Sequence, residues 1–99
     1  MEESSKWHYV YILYSLKDFK LYVGTTINLK KRLERHNSGM NTSTKGRRPL
    51  ILIFAESFLN KKDADNREKF YKTGRGREII KMKLENTFVD LDKKYKQGL

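Results

Sequence analysis

The stretch WHYVYILYSLKDFKLYVGTTINLKKRLERH, residues 7–36, changes its period midway, and that change sets the fold. Residues 7–15 are rich in β-branched and aromatic side chains, the composition of a strand. Alternation puts Tyr9, Tyr11 and Leu13 on one face and Val10, Ile12 and Tyr14 on the other. With both faces apolar, this strand belongs at the centre of a sheet. LKDF, 16–19, makes a turn, and KLYVG, 20–24, returns as an antiparallel neighbour. Beyond Gly24 the spacing becomes helical: Leu29, Arg32, Leu33 and His36 fall at i, i+3, i+4 and i+7, one face of a helix. Asn28 is a suitable N-cap, and Gly39 is placed to end the helix in a left-handed cap. The helix is odd in one respect, because its inward stripe alternates leucine with an arginine and a histidine.

Working outward, SGMNTSTKGRRP (38–49) reads as a polar, basic loop, and LILIFAES (50–57) as a third, fully buried strand. Asn60 caps a second helix, KKDADNREKFYK, which stops near Thr73-Gly74; REIIKMKLEN (77–86) is a third. Residues 87–99 read as a weak tail, with Phe88, Val89 and Leu91 available to dock. The expected order is ββαβαα: an α+β fold in which helices flank a small, mainly antiparallel three-stranded sheet. Residues 1–6 form an N-terminal tail, 7–86 one domain and 87–99 a C-terminal tail, with no internal repeat or linker.

A chain of 99 residues buries roughly 65% of its unfolded surface, enough for one modest core. It has no cysteine, which excludes a disulfide framework and a thiolate zinc site and suits a reducing compartment. Two histidines, His8 and His36, are too few for a histidine-rich metal centre. The apolar run LILIFA (50–55) is far short of the ~20 residues that span a bilayer. MEESSKWHY has no secretory character. The expectation is a soluble, cytoplasmic protein with no membrane partner. The net charge of +10 is concentrated: residues 27–48 carry seven Lys/Arg against one acid, and residues 61–85 carry nine against five. A basic stripe with tyrosines beside it points to a polyanion, most simply nucleic acid. Lys45, Arg47 and Arg48 in the loop and Arg75 and Arg77 in GRGREI are candidate phosphate contacts. GRGREI itself follows a helix and lacks the third glycine of a dinucleotide fingerprint, so that reading is rejected.

The second helix repeats the oddity of the first. Ala64, Arg67, Glu68 and Tyr71 share one face, and charged residues are rarely buried unless paired. Two helices with charge in their apolar stripes suggest a shared cleft. Arginine, tyrosine and a carboxylate together suit phosphodiester hydrolysis. The guanidinium fork holds a phosphate oxygen, a phenol moves a proton once nearby cations lower its pKa, and one carboxylate anchors a hydrated Mg²⁺. The bland alternative is that Arg32 lies along the surface and Glu68 pairs with Lys72 at i+4.

YVY (9–11), then YVG (22–24), an arginine ten residues after Tyr22 and a distant helical glutamate resemble the GIY-YIG nuclease superfamily. The chain is most similar to its small standalone members related to the nuclease part of the bacterial excinuclease. NLKKRLERHNSG, STKGRRP and REKFYKTGRGREIIK strengthen the resemblance, which covers about residues 7–86. Tyr9 stands where the first motif has glycine, and Val23 replaces isoleucine. The resemblance implies that Tyr11 and Tyr22 are the motif tyrosines and that Gly24 turns the chain at the site. It implies Arg32 as the catalytic arginine, His36 as the catalytic side chain one turn later, and Glu68 as the ligand of a single Mg²⁺ or Mn²⁺. Asn86 matches a late polar residue of the family. The implied function is one-metal DNA cleavage, structure-selective or weakly sequence-specific, in repair or recombination, with RNA and a specificity-giving protein partner left open. The alternative is a nucleic-acid-binding module with little or no cleavage.

Overall fold

The computed structural model describes residues 6–97. Eight elements make up the frame: β1 (His8–Ser15), β2 (Leu21–Thr26), α1 (Leu29–Asn37), β3 (Leu50–Phe58), α2 (Lys61–Tyr71), α3 (Gly74–Lys83), α4 (Glu85–Leu91) and a closing π-helical turn, Asp92–Lys96. A single 3₁₀ turn, Lys45–Arg47, interrupts the loop before β3. The sheet is antiparallel throughout, in the order β2-β1-β3, so the fold is the expected α+β arrangement. β1 is central, and every residue from Val10 to Ser15 is buried.

Alternation along β1 gives the sheet two differently used faces. Val10 and Ile12, with Val23 of β2, meet Ala64 and Tyr71 of α2, Ile80 of α3 and Leu84. Each aliphatic side chain buried there contributes roughly 1.5–3 kcal/mol, so this face supplies much of the stability. Tyr11 and Leu13, with Leu50 of β3, form a smaller cluster against Tyr22 and against Leu29 and Leu33 of α1.

The helix ends follow their capping residues. Asn28 Oδ1 accepts the Lys31 amide at 3.0 Å, Asn60 Oδ1 accepts the Lys62 amide at 2.8 Å, and Gly39 takes φ +83° beyond α1. Such caps contribute about 1 kcal/mol each.

Three expectations are corrected. β3 is not fully buried: it is an edge strand whose outer residues, Leu52 among them, are exposed, and a bulge between Ile12 and Leu13 shifts its register. α3 begins three residues early, at Gly74, because Thr73 Oγ1 caps the Gly76 amide at 3.0 Å. Gly76 is needed there, since a Cβ would run into the Phe70 backbone carbonyl at the end of α2. α3 also ends at Lys83, short of the expected residue 86, and residues 87–91, which read as tail, complete α4, with Leu91 buried and Phe88 packed on the main core. Of the expected N-terminal tail only Lys6 lies within the described residues. Among the described residues no helix is long and apolar enough to cross a membrane.

Candidate active site

Tyr11 and Gly24 are cross-strand partners, and the Tyr11 phenol lies directly over the glycine. A Cβ at residue 24 would stand 2.5 Å from the Tyr11 hydroxyl oxygen, so glycine is required by the ring above it. Tyr22, two residues back on the same face of β2, sets its ring 6.3 Å from that of Tyr11. The third ring comes from α1. Leu29, Arg32, Leu33 and His36 are the four residues of that helix that are not exposed, as their helical spacing predicts. His36 is fully buried and stands edge-on to Tyr22, 5.0 Å between centroids, and to Tyr11, 5.8 Å.

Hydrogen bonds lock this group. The Tyr11 hydroxyl lies 2.9 Å from His36 Nε2, and His36 Nδ1 lies 2.7 Å from the hydroxyl of Thr44, itself fully buried. Asn37, the next residue along α1, clamps the helix to the sheet through its amide, which donates to the Leu50 carbonyl and accepts the Leu50 N–H, both at 2.8 Å. Neither Thr44 nor Asn37 is singled out by sequence spacing. Thr44 sits in a Ser/Thr-rich loop where nothing marks one hydroxyl over another, and Asn37 looks like an ordinary helix end.

Charge surrounds the rings unevenly. The Arg32 guanidinium donates to the Thr25 carbonyl at 3.3 Å and faces the Tyr11 phenol. Burial pushes the Tyr11 hydroxyl up to about 12, Arg32 pulls against it, and the charges of Tyr22 and Glu68 add to it. Tyr11 is therefore a proton holder at neutral pH. Burial, with Arg32 and Arg35 nearby, lowers the His36 pKa below 6.5, so its ring is neutral. A cavity of about 230 Å³ opens beside Arg32, lined by His8, Thr25, Thr26 and, from α2, Lys61, Ala64 and Asp65. Glu68, one turn beyond Ala64, is half-buried.

Glu68 is the sequence's candidate metal ligand. Its Oε2 is held by Lys72 Nζ at 3.1 Å, while Oε1 makes no hydrogen bond among the described residues. No cluster of three or more metal-ligating side chains exists among them, so a closed protein cage is absent. One available carboxylate oxygen suits Mg²⁺, which keeps most of its waters and takes further oxygens from a phosphate. The donor set fits such an ion, and Glu68 would hold it.

The other residues singled out in the sequence are dispersed. Arg67 is turned away from the cleft: its Nε contacts Glu56 Oε1 at 3.1 Å, and it stacks on Tyr71, 4.6 Å from the ring centroid. Arg47 is tied to Asp18 at 2.8 Å and donates to the Leu21 carbonyl at 3.3 Å, so it braces the β1–β2 turn. Lys45 and Arg48, with Lys17, line a broad open groove of about 840 Å³ that also meets Asn37. Arg75 and Arg77 are exposed in the first turn of α3. Asn86 is exposed in the first turn of α4, which packs against α3.

The family profile described as the GIY-YIG catalytic domain matches residues 7–85. A UPF0213 protein of Clostridium perfringens is 47% identical over 66 residues, 66% of this chain and 70% of its own. One from Staphylococcus haemolyticus is 42% identical over 76 residues, covering 76% of this chain and 92% of its own. One from Pediococcus acidilactici is 41% identical over 89 residues, 87% of this chain and 90% of its own. The solution NMR structure of a UPF0213 protein from Bacillus halodurans aligns over 75% of this chain and 81% of its own, at 35% identity and a TM-score of 0.48. With its motif tyrosines, glycine and arginine on one face of the sheet, and its profile match spanning most of the sequence, the chain belongs to the GIY-YIG family of endonuclease domains, and its relatives there are small UPF0213 proteins.

Proposed function

We propose that this protein is a Mg²⁺-dependent (or Mn²⁺-dependent) DNA endonuclease that hydrolyses phosphodiester bonds with one divalent ion. The observation that carries the reading is the set of Tyr11, Tyr22 and His36 stacked on one sheet face, with Arg32 on the same helix stripe beside an open cavity. Its chemistry divides by exposure. Tyr22 is half-buried and Tyr11 nearly inaccessible, so Tyr22 is the phenol that reaches a water molecule. As the phenolate it takes the proton of the attacking water while the new P–O bond forms and the bond to the leaving ribose oxygen breaks. Tyr11 and His36 hold the Tyr22 ring in place. The Arg32 fork offers two parallel donors to the phosphate oxygens as charge builds on them. Glu68 would hold the divalent ion, which when bound would supply Lewis-acid neutralisation of the charge that builds on the phosphate. Lys17, Lys45 and Arg48 give the flanking strand a cationic groove, with Arg75 and Arg77 as additional phosphate contacts.

We infer cleavage that is structure-selective or weakly sequence-specific, as repair or recombination would use, with a protein partner able to add specificity. The test is nicking of linear, flapped and branched DNA with and without Mg²⁺. Arg32→Ala and Glu68→Ala should each lose about 10²-fold or more in rate, on the scale of one lost transition-state contact, with the helical fold retained. Cleavage by either variant at the wild-type rate contradicts the reading. Salt-sensitive DNA binding without any cleavage by the wild type would instead leave a nucleic-acid-binding module.

A further inference from the structure

The hydrogen bonds running through Tyr11, His36 and Thr44 have one consistent direction, and that direction gives Thr44 a role. Consider the reverse arrangement first. Thr44 would donate to Nδ1, and Nε2–H would donate to the Tyr11 oxygen. The Tyr11 proton would then need a different acceptor. Tyr11 is only 2% exposed, its hydroxyl makes no hydrogen bond to another acceptor among the described residues, and the Arg32 guanidinium near it can only donate. A buried O–H facing two donors costs about 1–3 kcal/mol, so the reverse arrangement is disfavoured.

In the forward arrangement every proton has a place. Arg32 faces the Tyr11 oxygen as donor, Tyr11 O–H donates to Nε2 over 2.9 Å, and Nδ1–H donates to Thr44 Oγ1 over 2.7 Å. The Thr44 hydroxyl donates onward to the Asn41 carbonyl, a longer contact of 3.5 Å. Both ends of the chain have a single possible role: a guanidinium donates and a carbonyl accepts. Asn41 also anchors the segment through the Thr44 N–H, at 3.2 Å, so the carbonyl stands fixed under the hydroxyl.

We propose that Thr44 is a positioning residue of the site, whose buried hydroxyl holds His36 as the Nδ1–H tautomer so that Nε2 accepts the Tyr11 proton. The consequence for catalysis rests on the endonuclease reading above. With Nε2 committed to Tyr11, the histidine is a fixed neutral wall against which the Tyr22 ring sits, and Tyr22 alone is left to exchange protons with water. Without the Thr44 acceptor the two tautomers become closer in energy, and the Tyr11 hydroxyl loses its fixed direction.

The test is the long-range ¹⁵N–¹H spectrum of His36 in the full-length protein, which distinguishes a protonated from a lone-pair-bearing ring nitrogen. Wild type should show a protonated Nδ1 and a lone pair on Nε2 near neutral pH. Thr44→Val, which keeps the shape and removes the hydroxyl, should move that pattern toward a mixture. It should also slow nicking by on the order of tenfold to a hundredfold, the usual loss for a residue that orients a functional histidine. Thr44→Ser should restore both readouts. A protonated Nε2 in wild type, or an unchanged pattern in Thr44→Val, overturns the assignment. If Thr44→Val does not fold, the spectra of wild type and Thr44→Ser still decide it, because both must show the Nδ1–H form. The spectrum needs no substrate, so a wild type that cleaves nothing would sink the endonuclease reading and leave the tautomer assignment standing.

Discussion

Two tyrosines on opposite faces of the sheet invite comparison. Tyr11 and Tyr71 are both almost inaccessible, and burial is the main reason each hydroxyl is pushed up to about 12. Their partners differ. Tyr71 donates to Glu56 at 2.7 Å, and that carboxylate is also held by Arg67, which stacks on the Tyr71 ring. This group joins α2 to β3 within the main apolar core, with each charge paired. Tyr11 donates to a neutral histidine that itself depends on a loop hydroxyl, next to an arginine beside an open cavity. The same residue type, at similar burial, closes a structural cluster on one face and, under the proposed function, belongs to a chemical one on the other. What separates them is whether the surrounding charge is already neutralised by the fold.

Substitutions can break that division. After the Arg32 and Glu68 variants, the largest effect is expected at Gly24. The alanine Cβ would stand 2.5 Å from the Tyr11 oxygen and 2.7 Å from its ring carbon, and the Tyr11 ring is buried. Gly24→Ala should cost about 1–3 kcal/mol in denaturant unfolding and remove nicking, since it displaces Tyr11 from His36. Full activity in a stable Gly24→Ala protein would show that the Tyr11 position is not used.

The smallest effect is a pH dependence. The His36 pKa is lowered in the folded state, so the folded protein binds fewer protons than the unfolded chain as its ordinary value of 6.5 is approached. The associated stability is fully present above that value and is lost as pH falls through the folded pKa. Thermal melts should therefore show wild type losing stability on acidification below pH 6.5 more steeply than His36→Gln. Parallel curves would mean that His36 is not held neutral.

Much of this is legible in the sequence because it depends on local spacing. The hairpin, the Asn28 and Asn60 caps, the left-handed Gly39 and the inward stripe of α1 need only neighbours within a turn or two. The stripe of α2 is only half readable. Arg67 and Glu68 are adjacent in sequence, yet Arg67 is neutralised by Glu56 across the fold and Glu68 faces the i+4 lysine. Spacing along a helix cannot distinguish the two, because the partner of Arg67 lies on a strand. Arg47 is the same case, since Asp18 is 29 residues away. The run LILIFAES suggests a buried strand because hydrophobicity does not report that a strand lies at the edge. The start of α3 reads three residues late because its first turn carries two glycines, poor helix formers, and one of them is there for helix packing. Thr44 is invisible for a simpler reason: a buried hydroxyl has meaning only once its acceptor and donor are in place.

The most direct measurement compares Tyr11→Phe with Tyr71→Phe, each of which removes one buried hydroxyl from one face. Tyr71→Phe should destabilise the protein by about 1–3 kcal/mol, by leaving Glu56 short of a donor, and should nick DNA in Mg²⁺ at the wild-type rate. Tyr11→Phe should lose most of that nicking at a comparable or smaller cost in stability. Wild-type nicking by Tyr11→Phe, or loss of nicking in a folded Tyr71→Phe protein, would contradict the division of the sheet into a structural and a chemical face.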